Sequence, residues 1–200
     1  PWDVARMVEE RGFDSLFVTE HTHVPATATA FRNGVQESYL RTLDPLIALT
    51  AAAGVTTRLR LGTSIFLASQ HEPIATAKAI ASLDVLSGGR VELGVGAGWV
   101  EEELANHGVA FGRRFGHLRE HVEAMRAIWR DEEASYAGDH VQFDGVMSWP
   151  KPVQPGGPPV LIGGDGPKVI DRVLAWGDGW LPRAPGGIDE LAPRVRELQV

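Results

Sequence analysis

Short apolar segments alternate with helical segments along nearly the whole chain, and this alternation constrains the fold more than any other feature. Each apolar segment has the length of a buried strand and is followed by polar or glycine-rich residues. Strands separated by helices in this way form a parallel sheet that helices cover on both faces. The strands are predicted at 14–19, 59–66, 91–95, 159–163 and 178–181.

Capping signals place the helices between these strands. Asp44 and Pro45 mark a helix start, and Gly12 and Gly54 mark helix ends. The stretch 21–42 is expected to be a long loop, and 138–157 a hairpin or irregular insertion. The helices are predicted at 2–11, 44–54, 73–86, 99–130 with a break around 108–116, 167–175 and after 188.

Doubly wound sheets and (β/α)8 TIM barrels both satisfy this alternation. Polar or glycine-rich residues after strand upon strand favour the barrel, because barrel chemistry lies at the carboxyl ends of the strands. A complete barrel needs roughly 250 residues, whereas this chain has 200. We therefore expect one domain over 1–200 that is a partial barrel, without the first strand and the last two.

Composition excludes several classes of function. The net charge of −7 gives no general attraction to nucleic acid or to anionic membranes. The sequence contains no cysteine, so disulfides, thiolate nucleophiles and cysteine metal sites are absent. No signal peptide and no apolar run of about 18 residues is seen, which predicts a cytoplasmic protein.

Four segments that follow strands carry the candidate chemistry. The sequence Glu-His-Thr-His begins at Glu20, and a glycine followed by hydroxyl residues at 62–65 indicates a strand bulge. Alternating glycines at 94–99 either let a flat ligand approach the backbone or form a tight turn. The glycine-rich turn at 163–167 precedes a helix, where free N–H groups and the helix dipole suit a phosphate, although an ordinary turn is equally compatible.

The two histidines at 21 and 23 could begin a metal site. A barrel hydrolase of that kind needs further His, Lys, Asp or Glu ligands at later strand ends. Of the other histidines only His71 lies near a strand end, and the later strand ends offer glycine, apart from Asp165. The sequence therefore disfavours a metal centre, and His117 and His121, four residues apart on one helix, are expected to be solvated.

Several stretches together resemble the bacterial luciferase-like monooxygenase superfamily, and within it the coenzyme F420-dependent oxidoreductases. They cover most of the chain in the family's order. The resemblance implies a (β/α)8 barrel, which agrees with the alternation of elements. The matching stretches are ERGFDSLFVTEH (10–21), LDPLIALTAAAGVTTRLRLGTSIF (43–66), ATAKAIASLDVLSGGRVELGVGAGW (75–99), GVAFGRRF (108–115), PKPVQ (150–154), PPVLIGG (158–164) and GDGWLP (177–182).

The resemblance also implies roles for individual residues. Glu20 and His21 would border the reactive face of the cofactor ring, with His21 as the better candidate for catalysis because an imidazole can exchange a proton near neutral pH. The Ser64–Ile65 bond would be a cis peptide in a bulge behind the ring. Trp180 would line the barrel mouth. The remaining cofactor-binding residues would be Thr63, Ser64, Ile65, Gly96, Ala97, Gly98 and Trp99 along the ring, and Gly163, Gly164 and Asp165 at the phosphate.

The resemblance leaves the cofactor open between coenzyme F420, our first expectation, and FMN. An F420 enzyme transfers a hydride to or from a small organic substrate. An FMN enzyme would be a monooxygenase that uses O2 and reduced flavin, supplied by a flavin reductase. Trp99 replaces the catalytic glutamate of the branch that oxidises a sugar phosphate, which argues against that substrate. A non-catalytic flavin-binding barrel is a third possibility, and a homodimer is expected from the family.

Overall fold

Five parallel strands form the sheet of this protein, and a separate hairpin lies outside it. The structure, a computed structural model, describes residues 1–28, 37–183 and 187–198. The strands are β1 (Ser15–Val18), β2 (Arg60–Thr63), β3 (Val91–Val95), β4 (Ala134–Ala137), β5 (Gln142–Val146), β6 (Val160–Gly163) and β7 (Gly179–Leu181). Their order in the sheet is β1-β2-β3-β6-β7, with every neighbouring pair parallel, and β4 and β5 form an antiparallel hairpin.

Helices connect successive strands of the sheet. The Asp44 carboxylate accepts a hydrogen bond from the Ile47 N–H (3.0 Å) at the start of the third helix, and Gly88 ends the fourth at a φ of 70°. The helices are α1 (Trp2–Glu10), α2 (Glu37–Leu40), α3 (Pro45–Ala53), α4 (Pro73–Ser87), α5 (Glu101–Asn106), α6 (Arg114–Arg130), α7 (Val169–Trp176) and α8 (Ala192–Glu197), with 3₁₀ turns at 68–70, 111–113 and 188–190.

Two apolar clusters hold the helices against the sheet. The larger lies between β3, β6 and helices α4, α6 and α7, and includes Leu93, Ile162 and Met125. The smaller lies beneath α1 and α3, around Leu49 and Leu61. Burial of these side chains supplies most of the driving force for folding, and it fixes the sheet from which the loops project.

The predicted strands and most helices are confirmed, and three details are corrected. The predicted loop at 21–42 contains α2, while its residues 29–36 lie outside the described part of the chain. The β2 strand ends at Thr63 instead of Phe66, because its pairing with β3 becomes irregular there. The Ser64 N–H still donates to Val18 O of β1 (2.7 Å), whereas toward β3 the Phe66 N–H donates to Gly94 O (2.7 Å) and Phe66 forms an isolated bridge with Val95.

The third correction concerns the insertion at 138–157. Its hairpin begins earlier, at Ala134, because the Glu120 carboxylate of α6 accepts the N–H groups of His140 (2.6 Å) and Val141 (3.1 Å) and so fixes the turn between β4 and β5.

His121, predicted to be solvated, is buried against the core and bonds to His117 O through Nδ1 (2.7 Å). In the described ranges, no helix combines the length and the apolar character that crossing a bilayer requires.

Candidate functional site

The residues predicted to form the site meet at one edge of the sheet. Because neighbouring strands are parallel, the segments that follow β1, β2, β3 and β6 lie side by side, and we call this edge the carboxyl edge. The catalytic and cofactor-binding residues predicted above all lie at this edge. They are Glu20, His21, Thr63, Ser64, Ile65, Gly96, Ala97, Gly98, Trp99, Gly163, Gly164 and Asp165.

His21 is held by a buried carboxylate that the sequence did not nominate. Its Nδ1 lies 3.0 Å from Oε2 of Glu103 in α5, and the two side chains are 5% and 1% exposed. The other Glu103 oxygen accepts the Thr22 N–H (3.1 Å). An ionised carboxylate only accepts hydrogen bonds, so Nδ1 carries the proton and Nε2 is the ring nitrogen left for chemistry.

Glu20 forms a separate pair on its own side of the strand. Its Oε1 accepts a hydrogen bond from His71 Nε2 (2.8 Å), and its Oε2 accepts the Leu67 N–H (2.5 Å). The His71 ring stacks on Phe66 at 4.6 Å between centroids. Glu20 and His21 therefore act through different partners, and Glu20 also fixes the backbone that follows the β2 bulge.

Thr22 joins the His21 pair to a second group of polar side chains. Its hydroxyl lies 3.0 Å from Gln70 Oε1 and 2.8 Å from His107 Nε2. Burial, and then the nearby charges of His23 and His71, lower the pKa of His107. His23 contacts Thr22 and, through Nε2, the amide of Asn106 (2.8 Å). The second histidine of the motif thus belongs to the exposed rim, whereas His21 is enclosed.

Two aromatic rings complete the surroundings of His21. Tyr39 of α2 packs edge-on against the imidazole at 5.1 Å, and Trp99 does so at 6.1 Å. Tyr39 and Trp99 also contact each other, at 6.2 Å. The ring of His21 is thereby confined on three sides, by one carboxylate and two aromatic faces or edges, which limits its rotation.

Ile65 lies between the turns that follow β3 and β6. A Cβ at Gly96 would overlap Cδ1 of Ile65, and one at Gly163 would lie 2.5 Å from its Cγ2. The Ser64–Ile65 peptide is cis, as the resemblance implied. Thr63 hydroxyl donates to Gly94 O (2.8 Å), so its side chain joins β2 to β3. The Ile65 side chain occupies the Cβ space of both glycines: a side chain at 163 would meet its branched Cγ2, whereas one at 96 would displace its flexible Cδ1 end.

The loop from Gly163 to Pro167 joins β6 to α7 and presents open backbone. Gly164 has a φ of 119°, in a region that favours glycine, and a Cβ at Gly164 or Gly166 would meet nothing within 4 Å. The Asp165 carboxylate is turned to Arg183 Nη2 (2.9 Å), at the exposed surface. Asp165 is therefore suited to contact a ligand through its N–H group and not through its carboxylate.

Two buried polar atoms at the carboxyl edge have no partner among the described residues. They are the Ser69 hydroxyl and one end of the Gln70 amide. Unpartnered buried polar groups are rare in native proteins and indicate a ligand or water position. Together with the open glycine backbone, they fit a ligand that has a flat ring and polar substituents. In the same described ranges, no three His, Cys, Asp or Glu side chains are grouped as metal ligands are.

Sequence reasoning missed Glu103, Tyr39 and Gln70, and it gave Thr22 and His71 no role of their own. Glu103 is one of three successive glutamates, and nothing in the sequence distinguishes it from Glu101 and Glu102 before the helix is placed. His71 was noticed only as a histidine near a strand end. Tyr39 lies in the stretch predicted as a loop, where no periodicity reveals which side chains turn inward.

Comparison with known proteins agrees with this geometry. The profile of the luciferase-like monooxygenase family matches residues 2–199. An uncharacterized protein of Mycobacterium tuberculosis is 47% identical over 206 residues, which cover 100% of this chain and 72% of that protein. The F420-dependent glucose-6-phosphate dehydrogenase of Amycolatopsis mediterranei is 31% identical over 203 residues, or 98% of this chain. The chain spans only 57% of the length of that enzyme.

Solved structures show the same fold. A monooxygenase from Streptomyces bottropensis superposes with a TM-score of 0.84 at 24% identity, covering 99% of this chain and 57% of that one. The oxygenating component of a 3,6-diketocamphane monooxygenase from Pseudomonas putida, in complex with FMN, gives 0.70 at 19% identity, covering 86% and 48%. The open five-stranded sheet is thus part of a luciferase-like (β/α)8 barrel, as predicted.

Proposed function

This chain belongs to the luciferase-like monooxygenase family and is an oxidoreductase of that class, and we propose that it transfers a hydride between coenzyme F420 and a small organic substrate. The family and its relatives support a deazaflavin or a flavin as the cofactor. The observation that carries the proposal is the buried His21–Glu103 pair beside the open glycine backbone of the carboxyl edge.

The residues of the carboxyl edge fit such a cofactor. Ile65 is half-buried against Gly96 and Gly163, and its apolar side chain would support the cofactor ring from behind. The glycine turn at 163–167 provides backbone N–H groups for a phosphate. Ala97, Gly98 and Trp99 follow β3 and would flank the ring, with the Trp99 side chain 49% exposed.

His21 would handle the proton that accompanies hydride transfer. The bound cofactor supplies a ring carbon that accepts or releases the hydride. If a substrate hydroxyl is oxidised, its carbon loses the hydride and its oxygen loses a proton, which Nε2 of His21 would accept. In the reverse direction Nε2–H would protonate the carbonyl oxygen. Glu103 keeps the proton of the neutral ring on Nδ1, so that Nε2 is free to accept.

Two observations support F420 over FMN and one limits the substrate. The relative from Amycolatopsis mediterranei, at 31% identity, is named as an F420-dependent enzyme. Hydride transfer also needs a proton carrier, and the enclosed His21 provides one. Trp99 places an indole, and no carboxylate, at the position beside His21. An indole cannot supply the acid or base that a carboxylate would provide there, so we propose a small organic substrate other than a sugar phosphate.

Cofactor titration of the purified protein tests this proposal. F420 is expected to bind more tightly than FMN, and the reduced cofactor to be oxidised by a carbonyl acceptor without O2. Binding of FMN alone, with O2 consumption in the presence of a flavin reductase, would make the protein a monooxygenase instead. Binding without turnover would favour the non-catalytic barrel. The homodimer and the cytoplasmic location remain predictions, which sedimentation and fractionation can test.

A further inference from the structure

Two side chains that the proposed chemistry does not use hold the loop 163–167 from one side. Trp180 Nε1–H of β7 donates to the Gly164 carbonyl (2.7 Å). The Arg194 guanidinium of α8 donates through Nη1 to Asp165 O (2.6 Å) and through Nη2 to Gly166 O (3.0 Å). Three successive carbonyls are therefore bonded to side chains from elements that follow the loop in the sequence.

The direction of these carbonyls also fixes the direction of the neighbouring N–H groups. A trans peptide is planar, and its C=O and N–H point in opposite directions. The carbonyls of Gly164 and Asp165 share peptide planes with the N–H groups of Asp165 and Gly166. Because the Gly164 and Asp165 carbonyls point toward Trp180 and Arg194, which donate hydrogen bonds to them, both N–H groups point to the opposite side of the loop.

These two N–H groups are also available. Among the described residues, neither is bonded to an acceptor, whereas the Gly164 N–H donates to Leu181 O (3.2 Å). The space beside Gly164 and Gly166 is open, because a Cβ at either position would meet no atom within 4 Å. Successive unbonded N–H groups in such a glycine-rich loop form the kind of backbone concavity that binds oxyanions.

Arg194 itself is not placed to meet the anion directly. Its two terminal nitrogens are used by loop carbonyls, and its guanidinium lies 5.5 Å from the centre of the Trp180 ring. Arg183 is paired with the Asp165 carboxylate. The contribution of Arg194 is therefore the orientation of the loop, through charge-assisted hydrogen bonds that are stronger than those between neutral groups.

We propose that Arg194 is a positioning residue which, together with Trp180, directs the N–H groups of Asp165 and Gly166 toward the phosphate of the ligand. This inference rests on the proposed role of the loop as a phosphate site. It predicts that affinity for phosphate-bearing ligands depends on Arg194, while affinity for the same ring systems without phosphate does not.

The test compares ligand pairs that differ in the phosphate. Dissociation constants are measured by fluorescence titration for F420 against its phosphate-free deazaflavin precursor, and for FMN against riboflavin. Arg194→Gln is expected to raise the constant for the phosphate-bearing member about tenfold, as the loss of charge-assisted bonds implies, and to leave the other member unchanged. Arg194→Lys should fall between, since an ammonium cannot bond two carbonyls in the same fork geometry.

Arg196→Gln, an exposed arginine two residues along α8, is the matched control and should change neither constant. In the wild type, inorganic phosphate should shift the NMR amide signals of Asp165 and Gly166, and Arg194→Gln should abolish that shift. Equal losses for both members of a pair, no loss for either, or amide signals that ignore phosphate would overturn the inference. Binding of FMN but not F420 would refute the proposed cofactor and still test Arg194 through the FMN pair.

Discussion

The two ends of the same sheet use polar side chains in opposite ways. At the amino end, Arg90 donates to the carbonyls of Ser87 (2.6 Å) and Leu59 (2.7 Å), among other acceptors, and Glu9 accepts the N–H groups of the segment before β2. At the carboxyl edge, the polar groups of Ser69 and Gln70 lack partners among the described residues. Among the described residues, Arg90 and Glu9 thus find their partners within the protein, whereas Ser69 and Gln70 leave hydrogen bonds for a ligand or water.

A change at His21 should have the largest effect of those considered. His21→Asn removes the proton carrier, and we expect kcat to fall about 10²- to 10⁴-fold, which is the contribution of a positioned general acid or base. The melting temperature should change little. His23→Asn is the control, since the contacts of His23 with described residues are with Thr22, Asn106 and His107 and not with His21 or Glu103, and it should retain most of the activity. Equal loss in both variants would contradict the assignment.

A change at Arg90 should have an effect of similar size, but on stability. Arg90→Met leaves the carbonyls of Ala53, Thr56, Leu59 and Ser87 without their donor. Unbonded buried carbonyls should lower the free energy of unfolding by about 2–4 kcal/mol. Urea denaturation measures this loss, with the exposed Arg11→Met as control. The activity of the folded fraction should be unchanged, and a fall in kcat would show that the two ends are not separate.

Glu103→Gln should have a smaller effect on catalysis than loss of His21. The amide keeps the size of the side chain but can present its NH2 group to the imidazole, which no longer fixes the Nδ1–H form. We expect a fall of about tenfold to 100-fold in kcat, with KM for the cofactor nearly constant. Glu101→Gln, in the exposed first turn of α5, is the matched control. A change in KM alone would point to a binding role.

Acid should affect the two ends in different pH ranges. Burial lowers the pKa of His121, which packs beside His71 at the carboxyl edge, below the usual 6.5. The unfolded chain then binds the proton more readily than the folded one. The free energy of unfolding is therefore not reduced by His121 above about pH 6.5, and it declines as the pH falls below that value. His121→Gln should reduce this decline in melting curves, while His107 and His117, whose pKa values burial also lowers, retain the rest. A decline as large as that of the wild type would refute the assignment.

Glu9 also loses its contribution as the pH falls, but in a more acidic range. Backbone hydrogen bonds from Arg58 and Leu59 lower the pKa of its carboxyl below the usual 4.5. Its contribution is present above that pH and is lost only as the pH falls through the lowered value. Melting curves recorded from pH 7 to pH 3 should therefore show a loss at the carboxyl edge first. Glu9→Gln should affect only the more acidic range, and an effect near pH 6 would contradict the comparison.

The features that could be predicted from the sequence are those that depend on neighbouring residues in the chain. The strands, the helices and the edge that carries the site follow from apolar periodicity, caps and glycine positions, which are local properties of the chain. The pairs His21–Glu103 and Glu20–His71 join residues 82 and 51 positions apart. Such pairs depend on how α5 and the turn after β2 pack, and no local pattern separates Glu103 from its two neighbouring glutamates.

The packing of Ile65 between Gly96 and Gly163 has a consequence for how related sequences evolve. The three positions come from different strands, and the volume of one side chain occupies the space of two missing ones. A larger residue at 163 would meet the branched Cγ2 of Ile65, whereas one at 96 would meet the flexible Cδ1 end, so a change at 163 depends more strongly on a smaller residue at 65. Among related sequences, positions 65 and 163 should therefore vary together more closely than positions 65 and 96.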